Sequence, residues 1–211
     1  MLQELWISHK NTEDYDERAY QQMYDALSLR GREKIDATGS GQHRRQRILA
    51  YYLLERNGQD AAELYQPWAT GGNGRRFSIS HSGTLVYVAM SGQLVGIDVE
   101  EISRLKPERV ERLSHSHFFT DKEKERLADA SVEQFLKLWT FKEAMVKVTG
   151  IPLAKMLGTV DYFEVLKQAV REDDFYVWTW DGVPYKMKQW EEEGGIITVC
   201  QRPETQQVMS G

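Results

Sequence analysis

Apolar residues spaced three and four positions apart predict several amphipathic helices. The clearest spans residues 131–149, where Ser131 and Gln134 have the spacing of an N-terminal capping box. Gly150 and Pro152 favour the end of this helix, since neither residue continues it well. Its apolar stripe comprises Phe135, Leu138, Phe141 or Lys142, Met145 and Val148. Further helices are predicted for residues 15–30, 42–56 and 105–113, and another begins with a capping box of Thr120 and Glu123.

Continuous or alternating apolar runs predict two groups of strands. The first group spans residues 2–8, 77–81, 85–91 and 94–100, and the second spans residues 159–166, 174–180, 185–190 and 195–200. Only Gly92 and Gln93 separate two strands of the first group, which is typical of a two-residue hairpin. Each half of the chain therefore runs through helices into a small antiparallel sheet, and the predicted fold class is α+β.

A second stripe on the long helix contains Trp139, Glu143 and Lys147, which follow one another at four-residue intervals. This spacing places a carboxylate, an ammonium group and a large aromatic ring on one helical face. Taken alone, Glu143 and Lys147 are typical of a solvated surface pair, which contributes about 0.2–0.5 kcal/mol. Such a pair would favour the ionised form of Glu143 and therefore a low pKa of its carboxyl.

Two acids lie in the strand predicted for residues 94–100. Asp98 and Glu100 are two positions apart, so both carboxylates point to the same face of the strand. Neighbouring carboxylates repel each other unless a cation lies between them. A hard divalent ion with oxygen ligands, such as Mg²⁺, would remove that conflict. By itself, an Asp-x-Glu sequence is also common on the solvated face of an edge strand.

The composition restricts the classes of function. The chain has 211 residues, which allow one large domain or two halves of roughly 100 residues each. Its net charge of −5 argues against a nucleic-acid-binding protein, which usually carries an excess of basic residues. The sequence contains no apolar run of about 18 residues and no secretory signal at its start, so we expect neither a membrane span nor export. The single cysteine, Cys200, is consistent with a reducing cytoplasm.

Three segments together resemble the signature of a known enzyme family. They are Phe77-Ser78-Ile79-Ser80-His81-Ser82-Gly83, Gly96-Ile97-Asp98-Val99-Glu100 and Trp139-Thr140-Phe141-Lys142-Glu143-Ala144-Met145-Val146-Lys147. Their order and spacing resemble the 4′-phosphopantetheinyl transferase superfamily. The similarity is to its pseudo-dimeric type, which activates surfactin synthetase and related peptide and polyketide synthetases. The resemblance extends from about residue 77 to residue 152.

The resemblance implies a fold of two similar α/β halves, each with a small antiparallel sheet, in a pseudo-twofold arrangement within one chain. We expect residues 1–93 to form the N-terminal half on the coenzyme A-binding side. Residues 94–211 are then expected to form the C-terminal half, which contains the metal site and the catalytic helix. The two halves show no repeat at the level of sequence.

The resemblance also implies an activity. This activity is the Mg²⁺-dependent transfer of 4′-phosphopantetheine from coenzyme A to a serine of an apo carrier protein, with release of adenosine 3′,5′-bisphosphate. Asp98, Glu100 and Glu143 are then the expected metal ligands. Glu143, Lys142 and Lys147 are the expected catalytic residues, and the two lysines would stabilise charge on the phosphates and the leaving group. Glu143 can act as a metal ligand, as the base for the serine hydroxyl, or as both.

Four residues match positions of the family that bind coenzyme A, and they are Lys34, Arg47, Ser80 and His81. Arg47 matches a basic residue that contacts the 3′-phosphate, although several arginines at one helix start are also typical of a solvated cap. His81 has the alternative role of a polar residue at a strand end. Many relatives carry a Gly-Lys-Pro segment, which Gly-Asn-Gly-Arg-Arg replaces at residues 72–76, so Arg75 or Arg76 is a candidate for the missing lysine contact.

The implied partner is an apo acyl or peptidyl carrier protein. Phe118 and Phe119 are candidates for its docking, although core packing is the expected role of at least one of them. The resemblance also implies a cytoplasmic monomer. His115 and His117 suggest zinc only weakly, because no Cys or third His lies near them in sequence. Two other interpretations stay open. One is a different metal-dependent phosphoryl transferase, and the other is a module that binds coenzyme A or a carrier protein through a degenerate site.

Overall fold

A computed structural model describes residues 5–59, 75–114 and 119–203. Within these ranges the chain forms helices and two antiparallel sheets. The helices are α1 (Glu17–Asp25), α2 (Leu29–Asp36), α3 (Gln42–Arg56), α4 (Pro107–Ser114), α5 (Asp121–Leu127), α6 (Val132–Thr149), α7 (Leu153–Leu157) and α8 (Tyr162–Gln168). No helix in the described ranges is long and apolar enough to cross a membrane.

The two sheets divide the strands between the two halves of the chain. The first sheet has the order β1-β3-β2, with β1 (Trp6–Asn11), β2 (Arg76–Ser82) and β3 (Leu85–Ser91). The second has the order β4-β8-β7-β6-β5, with β4 (Leu94–Glu101), β5 (Val170–Glu172), β6 (Phe175–Trp180), β7 (Val183–Glu192) and β8 (Gly195–Arg202). Strands β2 and β4 are therefore edge strands of different sheets.

The sheets pack face to face, and helices cover their outer faces. The apolar layer between the sheets contains Leu85, Tyr87, Ala89, Val95, Ile97, Val99, Ile197 and Val199. Helices α1 and α3 pack on the outer face of the first sheet, and α6 packs on β4 and β8 of the second. Each half is thus a helical layer on a small antiparallel sheet, which confirms the predicted fold class.

Helix α6 follows the sequence prediction closely. Ser131 and Gln134 form the capping box, and Gly150 ends the helix in the left-handed conformation with a φ of 70°. The predicted apolar stripe is buried. The helix also lies unusually close to β4, because Gly96 has no side chain. A Cβ atom at Gly96 would lie 2.2 Å from the carbonyl oxygen of Ala144.

The predicted hairpin between β3 and β4 is wrong. Strand β3 pairs with β1 and β2, whereas β4 pairs with β8. Because β3 already has a hydrogen-bonded neighbour on each side, Gly92 and Gln93 carry the chain from one sheet to the other. The tight two-residue turn lies instead between β2 and β3, where Gly83 adopts a φ of 56°.

Two further predictions are corrected by helix caps. The helix predicted for residues 15–30 is divided into α1 and α2, because Ser28 accepts a hydrogen bond from the Gly31 N–H and starts a new helix. The strand predicted for residues 159–166 is wrong. Asp161 accepts a hydrogen bond from the Glu164 N–H at 3.0 Å, and this cap begins α8.

Candidate active site

Helix α3 and the ends of β2 and β4 meet α6 and α4 around a cavity of about 590 Å³. Its polar wall includes His43 and Gln46 of α3, His81 and Ser82 of β2, and Glu100 of β4. The apolar part of its lining comprises Leu105, Leu113, Phe135, Leu136 and Trp139, and Arg104 and Arg109 also line the cavity. The cavity therefore lies between the two halves and joins charged groups to an apolar surface.

Asp98 lies on β4 two residues before Glu100, which lines this cavity. Its side chain is buried on β4, where Oδ1 accepts a hydrogen bond from the Ser80 hydroxyl at 2.8 Å. The Lys147 ammonium donates to the same Oδ1 atom, also at 2.8 Å. The second oxygen, Oδ2, is buried and has no hydrogen-bond partner in the described part of the chain. Since a buried acceptor without a partner is costly, Oδ2 is a place where a cation or a donor fits.

Lys147 extends from α6 across the gap between the two edge strands. Besides Asp98, its Nζ atom donates to the Ile97 carbonyl of β4 at 2.8 Å and to the Ile79 carbonyl of β2 at 3.4 Å. The helical spacing suggested Glu143 as its partner, but the ammonium pairs with Asp98 instead. The lysine therefore joins both halves of the molecule beside Asp98.

Asp98, Glu100 and Glu143 together form an acid cluster. Burial and the negative charge of Asp98 raise the pKa of Glu143 to about 7, which corrects the low pKa expected from the sequence. The Ser82 hydroxyl donates to Glu100 Oε2 at 2.7 Å. Burial also raises the pKa of Glu100. The structure thus brings Asp98, Glu100 and Glu143 within electrostatic reach of one another.

The fit of these residues to a metal ion follows from their chemistry. In the ranges that the structure describes, no three His, Cys, Asp or Glu side chains form a preformed metal cage. The donors nevertheless suit a hard divalent ion, because all are carboxylates and one buried oxygen of Asp98 has no partner in those ranges. Asp98, Glu100 and Glu143 are the residues that would hold such an ion.

His81 lies on the opposite face of β2 from Ser80 and points towards α3. Its ring makes an edge contact with the ring of His43, with 5.2 Å between the centroids. Burial, together with the neighbouring His43 and Lys147, lowers the pKa of His81, so the ring is neutral near pH 7. The sequence placed His43 in the basic start of α3, and only the fold brings it to His81.

The side chain of Arg47 and the backbone of Lys34 both contact the Thr38 hydroxyl. Arg47 of α3 donates to Thr38 Oγ1 at 3.0 Å, and the same hydroxyl donates to the carbonyl of Lys34 at 2.9 Å. Arg47 also acts electrostatically on His81. The two basic residues predicted to bind coenzyme A therefore lie on neighbouring elements of the same half.

Lys142 lies away from the acid cluster, which corrects the catalytic role that the sequence suggested. Its side chain is 0% exposed and forms an ion pair with Glu123, which is also 0% exposed, at 2.8 Å. The ammonium group also donates to the Val160 carbonyl, and the other oxygen of Glu123 accepts from the Tyr162 N–H at 2.9 Å. Lys142 therefore joins α5, α6 and the start of α8, and it cannot reach a phosphate in the cavity.

Ser80, a predicted coenzyme A contact, bonds through its hydroxyl to the second half of the protein. Its hydroxyl donates to Asp98 and accepts from the Val99 N–H at 3.3 Å, so the hydroxyl is already engaged within the protein. Phe119 is buried against Phe135 and Trp139 and belongs to the core. His115, His117, Phe118 and the segment 71–74 lie outside the described residues.

Sequence comparisons identify relatives of this chain. A sequence model described as the 4'-phosphopantetheinyl transferase superfamily matches residues 94–200. Enterobactin synthase component D of Escherichia coli (strain K12) is 32% identical over an alignment of 210 residues. The alignment covers 93% of this chain and 84% of that protein. The 4'-phosphopantetheinyl transferases gsp of Aneurinibacillus migulanus and psf-1 of Bacillus pumilus are 35% and 36% identical. These two matches span 31% and 38% of the relatives' own length.

The superfamily match begins at the start of β4 and ends within β8, and it includes the helix that carries Glu143 and Lys147. The match to the enterobactin synthase component extends over both halves. The two similar halves of the fold agree with the pseudo-dimeric type of this superfamily. Together these matches show that the chain belongs to the 4′-phosphopantetheinyl transferase superfamily.

Proposed function

We propose that this protein transfers the 4′-phosphopantetheine group from coenzyme A to a serine of an apo acyl or peptidyl carrier protein. Membership of the superfamily supports this class of reaction, and two of the relatives are named 4'-phosphopantetheinyl transferases. The observation that carries the proposal is the buried Asp98 Oδ2 atom. It is an acceptor without a partner among the described residues, and it lies beside Lys147 where the two halves meet.

In the proposed reaction, the oxygen of the carrier serine bonds to the phosphorus that bears the pantetheine arm. The bond from that phosphorus to the bridging oxygen of the pyrophosphate breaks, and adenosine 3′,5′-bisphosphate leaves. The serine hydroxyl loses its proton, because a neutral hydroxyl is a weak nucleophile. The protein must therefore bind the pyrophosphate, accept a proton and stabilise the charge on the leaving group.

Asp98, Glu100 and Glu143 are proposed to bind Mg²⁺. A bound divalent ion would neutralise charge on the pyrophosphate and polarise the reacting phosphorus. The crowding of negative charge around Glu143 supports a cation at this place, since Asp98 and Glu100 both raise its pKa. Glu143 serves as a ligand, as the proton acceptor, or as both.

Lys147 is the proposed source of positive charge from the protein. Its ammonium group lies against Asp98 at 2.8 Å, and its side chain is 28% exposed. A fixed ammonium at this position stabilises charge that develops on the phosphate oxygens and the leaving group. Lys142 has no part in this proposal, because it is fully buried against Glu123.

The coenzyme A side of the proposed site lies in the N-terminal half. Arg47, Lys34 and His81 are the residues proposed to bind coenzyme A, with Arg47 at the 3′-phosphate. Arg47 and Lys34 lie on α3 and α2, and Thr38 links these helices by accepting from the Arg47 side chain and donating to the backbone carbonyl of Lys34. We also propose that the halves divide between residues 93 and 94, because β4 belongs to the sheet of the second half.

The test incubates the protein with coenzyme A, Mg²⁺ and a panel of apo carrier proteins and follows the intact mass of each carrier. We expect one carrier or more to gain the mass of a phosphopantetheinyl group in the presence of Mg²⁺ and none after chelation. Asp98→Asn keeps the size of the side chain but removes its charge, so it should abolish transfer without unfolding the protein. Lys122→Met is a matched surface control, because Lys122 is exposed and lies outside the site.

Two results would contradict the proposal. Transfer at the wild-type rate in excess chelator would show that the reaction needs no divalent ion. Binding of coenzyme A without transfer to any carrier in the panel would favour a module with a degenerate site.

A further inference from the structure

Three serines of β2 reach the exposed backbone edge of β4. Ser78, Ser80 and Ser82 alternate along β2, so their hydroxyls share one face of the strand. Their Oγ atoms accept hydrogen bonds from the N–H groups of Ile97, Val99 and Glu101, at 3.1, 3.3 and 3.2 Å. We call these three residues the serine row.

The serine row replaces the strand that β4 lacks on this side. An edge strand exposes alternate N–H groups that have no partner in their own sheet. The serine row supplies acceptors for three of these groups in succession. The contacts advance two residues at a time along both strands, so β2 and β4 run in the same direction beside each other.

Two members of the row make a second bond with direct bearing on the acid cluster. Ser80 donates to Asp98 Oδ1 at 2.8 Å, and Ser82 donates to Glu100 Oε2 at 2.7 Å. Ser80 accepts the Val99 N–H and donates to Asp98, the residue before Val99. Ser82 likewise accepts the Glu101 N–H and donates to Glu100. A serine hydroxyl carries one proton, so accepting the backbone N–H and donating to the carboxylate fixes its rotation.

We propose that Ser80 and Ser82 are positioning residues that orient the carboxylates of Asp98 and Glu100 for the divalent ion. The inference rests on the proposed function. Ser80 and Lys147 together occupy Oδ1 of Asp98, which leaves Oδ2 as the open, buried acceptor. Ser82 occupies Oε2 of Glu100 and leaves Oε1 as the atom that can turn towards the ion. The carboxylates of one half are therefore held by hydroxyls of the other.

Ser78 provides a control that the chain itself contains. It accepts from the Ile97 N–H in the same way, but the preceding residue of β4 is Gly96, which has no side chain to orient. Ser78→Ala therefore removes one bond of the row and no contact to a carboxylate. Ser80→Ala and Ser82→Ala remove an equivalent bond and also release Asp98 or Glu100.

The experiment measures two quantities on wild type and on the three alanine variants. One is the melting temperature without metal, and the other is the affinity for Mg²⁺ by calorimetry in the presence of coenzyme A. We expect the melting temperature to fall in all three variants, and by less in Ser78→Ala, which loses one hydrogen bond rather than two. Mg²⁺ affinity should fall by about 10-fold or more in Ser80→Ala and Ser82→Ala, as is usual for partners of metal ligands, and stay at the wild-type value in Ser78→Ala.

Each outcome decides the inference. If wild type binds Mg²⁺ and all three variants bind it equally well, the serine row only joins the halves and the positioning role is wrong. If Ser78→Ala weakens Mg²⁺ binding as much as the other two, the effect comes from loosening of the halves, and the role is again wrong. Wild type that binds no Mg²⁺ and transfers nothing would remove the proposed function itself, and the inference with it.

Discussion

Lys142→Met separates a role in folding from a role in catalysis. Methionine has nearly the same length as lysine but no charge and no donor. The substitution leaves the carboxylate of Glu123 buried without its counter-charge and removes the hydrogen bond to the Val160 carbonyl. Glu123 cannot turn to solvent, since its other oxygen accepts the Tyr162 N–H and its side chain is 0% exposed.

The expected magnitude follows from this burial. Removal of one partner of a buried ion pair costs about 3–5 kcal/mol of unfolding free energy. For a protein of this size, about 2–4 °C of melting temperature corresponds to each kcal/mol, so the melting temperature should fall by roughly 6–20 °C. Urea unfolding followed by tryptophan fluorescence measures the free energy, and a thermal scan measures the shift.

The control is Lys122→Met, which breaks an ion pair between α5 and α8 on the surface. The distance from Lys122 to Glu164 is 3.4 Å, and the lysine side chain is 71% exposed. An exposed pair of this kind contributes at most about 1 kcal/mol. Far below its melting temperature, Lys142→Met should keep a kcat near that of wild type. Wild-type stability combined with a collapsed kcat would refute the structural role and restore Lys142 to the reaction.

Three other substitutions, and one control variant for the first of them, test neighbouring parts of the molecule. Gly96→Ala should lower stability by about 1–3 kcal/mol and slow transfer, because its Cβ would overlap the backbone of α6. At Gly39, no atom of the described residues lies within 4 Å of a new Cβ, so Gly39→Ala should leave both urea unfolding and transfer unchanged. Arg47→Ala should raise the KM for coenzyme A with little change in kcat. Arg47→Ala should also discriminate less against dephospho-coenzyme A, which lacks the 3′-phosphate. If the variant and wild type discriminate equally, Arg47 does not contact that phosphate. Glu143→Gln should lose most of kcat and bind Mg²⁺ more weakly by calorimetry. Unchanged Mg²⁺ affinity with a collapsed kcat would leave Glu143 as a base alone.

Local patterns were enough to predict much of the fold. The capping box and apolar stripe of α6 depend on residues within one or two turns, so the sequence contains all the relevant contacts. The shared face of Asp98 and Glu100 follows from strand geometry in the same way. The missed helix α8 also has a local signal, because Asp161 occupies an N-cap position three residues before Glu164.

Contacts between distant segments could not be predicted in this way. The i, i+4 spacing on α6 made Glu143 the natural partner of Lys147, but β4 passes close enough for Asp98 to take the ammonium group. Lys142 belongs to the apolar stripe by position, and only the arrival of Glu123 from α5 makes its burial possible. In each case the partner comes from another element, and helical spacing carries no information about it.

The acid cluster lies where it does because two sheet edges meet there. Both edge strands need partners for backbone groups that their own sheets leave exposed. Lys147 donates to carbonyls of β2 and β4, and the serine row accepts N–H groups of β4. The same side chains then contact the carboxylates of Asp98 and Glu100. Neither half alone contains this arrangement, since the acids belong to the second half and the serines that bind them to the first. A change that loosens the contact between the sheets should therefore alter the acid cluster before it unfolds either half.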